Sequence, residues 1–92
     1  MSLTIKENNG VFLVEGAINS TTSNSFKMHM ESLFQNNKEL VINIDRTTEI
    51  DTIGVSVLKS LYMYSLHHTK EFYITGNGCK ELFHDFSSDN AA

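Results

Sequence analysis

The chain has 92 residues, of which 40% are hydrophobic and 20% are charged, a composition typical of an ordinary globular domain. This length allows one hydrophobic core, so residues 1–92 are expected to form a single domain. A net charge of −4 without a basic stripe argues against nucleic-acid binding. The single cysteine, Cys79, excludes an internal disulfide, in agreement with a cytoplasmic location. Neither a signal peptide nor an apolar run of roughly 20 residues is visible, so direct membrane insertion is not expected.

The chain begins with a predicted β-hairpin over residues 3–16. Apolar and polar residues alternate over residues 3–7, and the Asn9-Gly10 dipeptide that follows is a strong hairpin signal. Residues 11–14 are continuously apolar, as in a strand that is buried more deeply.

The first helix is predicted over residues 22–36. Polar residues 20–25 supply several candidate N-caps. Behind them, apolar side chains recur at helical spacing, namely Phe26, Met30, Leu33 and Phe34. The polar run has the composition of a linker, but the helical pattern directly behind it favours a capped loop.

Two further strand–helix units are predicted. Residues 40–44 are apolar and β-branched, as in a central strand, and residues 45–50 are interpreted as a polar loop. A helix over residues 53–67 is apolar on more than one side, which indicates broad burial or docking of a partner. Residues 72–74 predict another strand and residues 77–86 a last helix. This order predicts an α/β fold with a mostly parallel four-stranded sheet, an N-terminal hairpin and about three helices.

The predicted core contains the apolar positions that best fit the period of each element. They are Val14, Phe26, Leu33, Val41, Ile42, Ile44, Val57, Leu61, Ile74 and Phe83.

The segment with the most functional information is residues 50–55, where Thr52 follows Asp51 at the junction between a loop and a helix. The N–H groups and the dipole at a helix N-terminus favour a phosphate attached there. That phosphate would add roughly −1.5 to −2 charges and would oppose binding on an apolar docking surface. A Thr or Asp before a helix is more often only an N-cap, so the spacing alone leaves the cap and the switch as alternatives.

The stretch Asp51-Thr52-Ile53-Gly54, with the apolar helix residues behind it, resembles the signature of the STAS family, which includes bacterial anti-sigma factor antagonists. The helix residues in question are Val55, Val57, Leu58 and Tyr62. Residues 16–19 resemble the family's Gly-x-Leu-Asp element, and residues 79–83 resemble its penultimate helix. Asn19 stands in place of the usual acid and Ile53 in place of a small residue. The resemblance covers nearly the whole chain and implies a STAS-like fold that is shortened at its C-terminus, where relatives usually add a strand and a helix.

The resemblance implies a protein-interaction module that is not an enzyme and needs no cofactor or metal. Thr52 is then the phospho-acceptor, modified by an anti-sigma factor of the serine/threonine kinase type and restored by a phosphatase. The unmodified form binds the anti-sigma factor. The residues implied in partner binding are Asn19, Asp51, Thr52, Ile53, Gly54, Val55 and Leu58. Weak homodimerisation through the second helix is a further expectation, because that helix is apolar on several sides.

Two alternative functions remain at this point. One is a stand-alone STAS subunit of a lipid or toluene-tolerance ABC transporter, which is not phosphorylated. The other is an enzyme, which the sequence disfavours because no catalytic motif is present. The four histidines do not show metal-ligand spacing, and the adjacent His67 and His68 would point in different directions on a helix.

Overall fold

The computed structural model describes residues 3–78, which form one mixed β-sheet and two α-helices. The elements in chain order are β1 (Leu3–Asn8), β2 (Val11–Ile18), α1 (Ser23–Asn36), β3 (Glu39–Asn43), β4 (Thr47–Ile50), α2 (Thr52–His67) and β5 (Glu71–Thr75). Both helices begin within one residue of the predicted start and end at the predicted residue. The predicted third helix, at residues 77–86, lies almost entirely outside the described residues.

The hairpin predicted at the start of the chain is confirmed. Strands β1 and β2 pair antiparallel, with Asn8 opposite Val11 next to the turn. Asn9 and Gly10 both have positive φ angles, 55° and 84°, as a tight hairpin turn with matching strand twist requires. Strand β2 continues to Ile18, so it reaches the region in which α1 and α2 begin.

The sheet has five strands, so the predicted four-stranded sheet is wrong. Its order is β1-β2-β3-β5, and β4 also pairs with β2. The pairs β2–β3, β2–β4 and β3–β5 are parallel, whereas β1–β2 is antiparallel. The extra strand, β4, lies in the segment that the sequence predicts as a loop. Because the side chains of β4 are mostly polar, the sequence does not indicate a strand here. Thr47 is nevertheless buried, and its hydroxyl donates to the Val14 carbonyl at 2.8 Å.

The core lies between the sheet and the two helices. Six of the predicted core residues are buried, namely Val14, Phe26, Ile42, Ile44, Val57 and Leu61. Leu33, Val41 and Ile74 are only half-buried, and Phe83 lies outside the described residues. Val41 is less buried because it alternates with Leu40 and Ile42, which are fully buried on the helix side of β3.

The core also contains residues that the prediction omits. These are chiefly Phe12, Ile18, Met30, Phe34, Leu40, Leu58 and Phe72. Rings from three elements meet within it, since Phe34 stacks on Tyr64 at 5.4 Å between centroids and contacts Phe72 at 5.9 Å. Over residues 3–78, neither helix is both long and apolar enough to cross a membrane.

Candidate functional site

The predicted site lies where the end of β2, the loop before α1 and the first turn of α2 meet. Parallel pairing of β2 with β4 places Ile18 beside Ile50, so the residues that follow each strand are neighbours. The Asp51 N–H donates to the Ile18 carbonyl at 3.3 Å and extends this pairing to the start of α2. Residues separated by about thirty positions in the sequence therefore form one surface.

Asp51 is the N-cap of α2. Its Oδ1 accepts a hydrogen bond from the Gly54 N–H at 2.8 Å, the expected bond to the third helical residue. Its Oδ2 accepts from the Ser20 N–H at 3.2 Å, so the same carboxylate also holds the β2–α1 loop. Asp51 is therefore the cap, and Thr52 is the first helical residue, with an exposed side chain.

Asn19 organises the loop that Asp51 contacts. Its Oδ1 accepts from the N–H groups of Thr21 and Thr22, at 2.9 and 3.2 Å, in the manner of an Asx turn. Its Nδ2 donates to Oε1 of Glu49 on β4 at 3.3 Å. An aspartate has no such donor and would place a second carboxylate beside Glu49, which gives a physical reason for an amide at this position.

The prediction did not identify Thr22 and Glu49 as parts of the site. The Thr22 hydroxyl is buried, donates to the Ala17 carbonyl at 2.7 Å and accepts from the Asn19 N–H at 3.0 Å. Thr22 belongs to the polar run interpreted as N-caps, and it does occupy the N-cap position of α1, but its side chain makes no capping bond there. Glu49 gives no signal in the sequence because its role depends on the pairing of β4 with β2.

Gly54 allows α2 to approach β2 closely. A Cβ atom added at this position would lie 2.2 Å from the Ile18 carbonyl oxygen and 3.0 Å from Cγ2 of Ile50. A glycine is therefore required here by the distance between the helix and the strand, in the first turn that also carries Thr52.

The exposed part of the predicted set is smaller than the sequence suggests. Thr52 is exposed and Ile53 is 47% exposed, whereas Asn19, Asp51 and Val55 are half-buried. Gly54 is buried, and Leu58, at 4% exposure, belongs to the core. Including Leu58 in the partner-binding set is therefore corrected, because its side chain packs inside the domain. We call Asn19, Asp51, Thr52 and Ile53, which lie where the β2–α1 loop meets the start of α2, the Thr52 surface.

The Thr52 surface is acidic and shows no metal centre. Asp51 lies within it and Glu49 borders it through Asn19. Across residues 3–78, no cluster of three or more His, Cys, Asp or Glu side chains has a geometry that could hold a metal ion. His68 instead stacks on the ring of Tyr64 at 4.0 Å between centroids, near the opposite end of α2. The arrangement therefore offers an exposed hydroxyl beside an apolar side chain, with carboxylates around them.

Comparisons with known proteins agree with this architecture. A model of the STAS domain matches residues 1–80. A search of curated proteins finds no match. Among solved structures, the crystal structure of an anti-sigma factor antagonist from Mycobacterium paratuberculosis is similar, with a TM-score of 0.69. The two chains are 17% identical, and the superposition covers 98% of this chain and 80% of the other, so the likeness concerns the fold. With the family model matching most of its length, this chain belongs to the STAS domain family.

Proposed function

We propose that this protein is a non-enzymatic interaction module of the anti-sigma factor antagonist type, regulated by phosphorylation of Thr52. Its partner is an anti-sigma factor of the serine/threonine kinase type, which binds the Thr52 surface in the cytoplasm. The observation that carries the proposal is the position of Thr52, exposed at the first residue of α2 while Asp51 supplies the cap. The Thr52 hydroxyl is not needed for capping and is open to modification.

The first turn of α2 is suited to a phosphate that changes binding without unfolding the domain. The positive end of the helix dipole stabilises an anion at Thr52, typically by about 0.3–1 kcal/mol. A bound partner would cover Ile53, the large apolar side chain next to Thr52, which is 47% exposed. A charge brought into such a desolvated contact costs several kcal/mol unless it is paired. Phosphorylation should therefore release the partner, and a phosphatase should restore binding.

The proposal is tested by affinity capture from the native host followed by titration of the recovered partner. Thr52→Glu should keep the stability of wild type within about 0.5 kcal/mol, as exposed substitutions do. It should weaken partner binding at least tenfold, which corresponds to about 1.4 kcal/mol. Thr48→Glu is the matched control, since Thr48 is an exposed threonine on neighbouring β4 and receives the same charge. Equal binding by wild type and Thr52→Glu would contradict the switch.

The identity of the captured protein separates the proposal from its alternative. Recovery of a kinase-type protein that phosphorylates wild type, with mass spectrometry placing the phosphate on Thr52, supports the antagonist function. Thr48→Val should still be phosphorylated, whereas Thr52→Val should not. Recovery of a transporter ATPase or permease that binds wild type and Thr52→Glu equally would instead identify a subunit of an ABC transporter.

A further inference from the structure

Strand β1 forms one edge of the sheet. Within residues 3–78 it pairs only with β2, whose other side is occupied by β3 and β4. Among the described strands, the outer row of β1 backbone N–H and C=O groups is therefore unpaired. Such an edge is a template for a strand from another chain, and many proteins block it with a proline or a bulge. Strand β1 contains no proline, and its register with β2 is continuous.

The turn of the hairpin determines which backbone groups of β1 point outward. Asn8 lies opposite Val11, and the two turn residues between them have positive φ angles, as in a two-residue hairpin turn. The ends of such a turn are joined by a hydrogen bond, and hydrogen-bonded pairs then alternate with non-hydrogen-bonded pairs along the ladder. Every second residue counted back from Asn8 therefore bonds to β2. The residues between them, Leu3, Ile5 and Glu7, direct their N–H and C=O groups away from β2.

The same edge has apolar side chains on the helix side of the sheet. Leu3 and Ile5 are half-buried and pack against the core. Together with Ser25, Phe26 and His29 of α1, they line an open groove beside β1. A strand added to this edge would place alternate side chains over the groove and would cover the exposed parts of Leu3 and Ile5.

Two-fold symmetry makes the β1 edge complementary to a second copy of itself. When two β1 strands pair antiparallel about an axis normal to the sheet, both copies keep their helices on the same side, so odd-numbered residues lie opposite odd-numbered residues. With Ile5 opposite Ile5 of the second copy, each Leu3 lies opposite a Glu7, and all the outward-pointing residues form hydrogen-bonded pairs. A shift by two residues towards the turn would place the two Lys6 side chains directly opposite each other, where like charges repel. A shift the other way would leave Glu7 without a partner in β1.

The charges at the two edges of the described sheet also favour β1. Lys6 lies on the face away from the groove and is paired with Glu15 of its own copy at 3.3 Å. At the opposite edge, Glu71 of β5 lies directly opposite Glu39 of β3. Two copies that paired through β5 would bring two such acidic pairs near each other, which disfavours that edge.

We propose that this protein forms a weak two-fold dimer in which β1 pairs antiparallel with β1 of a second copy. The two sheets then form one continuous sheet, with Ile5 of each copy at the axis and two backbone hydrogen bonds in each hydrogen-bonded pair. The paired segment is short, so the dissociation constant should be on the order of 100 μM. Strand β4 and the start of α2 lie beyond the other side of β2, so both Thr52 surfaces stay open. The dimer therefore does not depend on the proposed switch.

The first test is sedimentation equilibrium of the full chain from about 10 μM to about 1 mM, a range that brackets the expected dissociation constant. The average mass should rise from that of a monomer towards that of a dimer. In NMR spectra of isotope-labelled protein over the same range, the amide signals that shift should be those of residues 3–8 and of His29. A protein that stays monomeric throughout would overturn the proposal.

The second test is disulfide trapping of the register, in a Cys79→Ser background because Cys79 is the single native cysteine. In the proposed register the two Ile5 Cα atoms are about 5.5 Å apart, within the range that a disulfide spans. Ile5→Cys should therefore form a covalent dimer rapidly with oxidised glutathione. The control is Glu7→Cys, whose two copies would lie four residues apart along the strands, about 13 Å, and should not join. Equally fast cross-linking of the two variants would overturn the register.

The third test removes the outward hydrogen bonds. Glu7→Pro deletes an N–H that points away from β2, so the hairpin should form and the dimer should bind at least tenfold more weakly. Glu7→Gln keeps this N–H and should dimerise as wild type does. Met63→Ser, at an exposed position of α2, and Thr52→Glu should also match wild type. Unchanged dimerisation of Glu7→Pro, or a loss with Met63→Ser, would overturn the proposal, and the latter would locate the interface on α2.

Discussion

Gly54→Ala is the substitution for which local propensity and tertiary packing give opposite predictions. Alanine in the interior of an exposed helix is favoured over glycine by about 1 kcal/mol. In this fold the new Cβ would lie 2.2 Å from the Ile18 carbonyl oxygen, whereas real Cβ atoms essentially never come closer than 3.0 Å to such an atom. The oxygen belongs to the backbone at the end of β2, so α2 must move away from β2.

The expected result is a net loss of stability. Overpacking of a close contact costs typically 1–3 kcal/mol and occasionally more, and a clash with backbone belongs at the upper end. After the gain in helix propensity, about 2 kcal/mol of destabilisation remains. In a domain of this size the melting temperature should fall by about 8–16 °C.

Chemical denaturation with circular dichroism measures this loss directly. Ser56→Ala is the matched control, because Ser56 is an exposed residue in the same helix and should gain a few tenths of a kcal/mol from propensity alone. If Gly54→Ala were as stable as wild type, α2 would lie farther from β2 than the structure indicates, and the argument from close approach would fail.

Three other substitutions test the packing and the caps by the same denaturation assay. Ile44→Ala should cost about 2–5 kcal/mol because Ile44 is fully buried, whereas Ile53→Ala at an exposed position should stay within about 0.5 kcal/mol; similar values for the two would contradict the burial pattern. Asp51→Ala should cost about 1–2 kcal/mol, and Asp51→Asn should lose less because the amide oxygen still caps the helix; equal losses would exclude the cap. Lys70→Met should cost about 1 kcal/mol, because the Lys70 ammonium donates to the Phe34 and Asn37 carbonyls at the end of α1, and a neutral result would contradict a stabilising role for these bonds.

Much of the fold could be predicted from the sequence because apolar periodicity marks most of its elements. The hairpin has both alternation and an Asn-Gly turn, and the two helices have repeating apolar positions. Strand β4 has neither, because Thr47 and Glu49 are polar. Strand β4 is stabilised by backbone pairing with β2 and by the hydrogen bond of the buried Thr47 hydroxyl. Both contacts depend on tertiary structure, which the apolar periodicity of the sequence does not reveal.

The sequence predicts the part of the candidate site that lies within one short segment. The motif around Asp51 and Thr52 identifies the start of α2 and the exposed hydroxyl. The contacts of Asn19 with Glu49, and of Ser20 with Asp51, join segments about thirty residues apart and follow only from the parallel register of β2 and β4. The family resemblance implies Leu58 in partner binding, and a helix that is apolar on several sides does not reveal from its sequence that this side chain is buried.

The contacts that fix the start of α2 bear on how a switch at Thr52 would work. Asp51 donates through its N–H to the Ile18 carbonyl, and its carboxylate accepts from the Ser20 and Gly54 N–H groups. Gly54 adds a close contact with the same carbonyl. None of these contacts uses the Thr52 side chain. A phosphate on Thr52 would therefore add charge to this surface without breaking the contacts that hold the start of α2. The switch we propose is therefore electrostatic, and its effect should appear in partner binding while the fold of the domain stays unchanged.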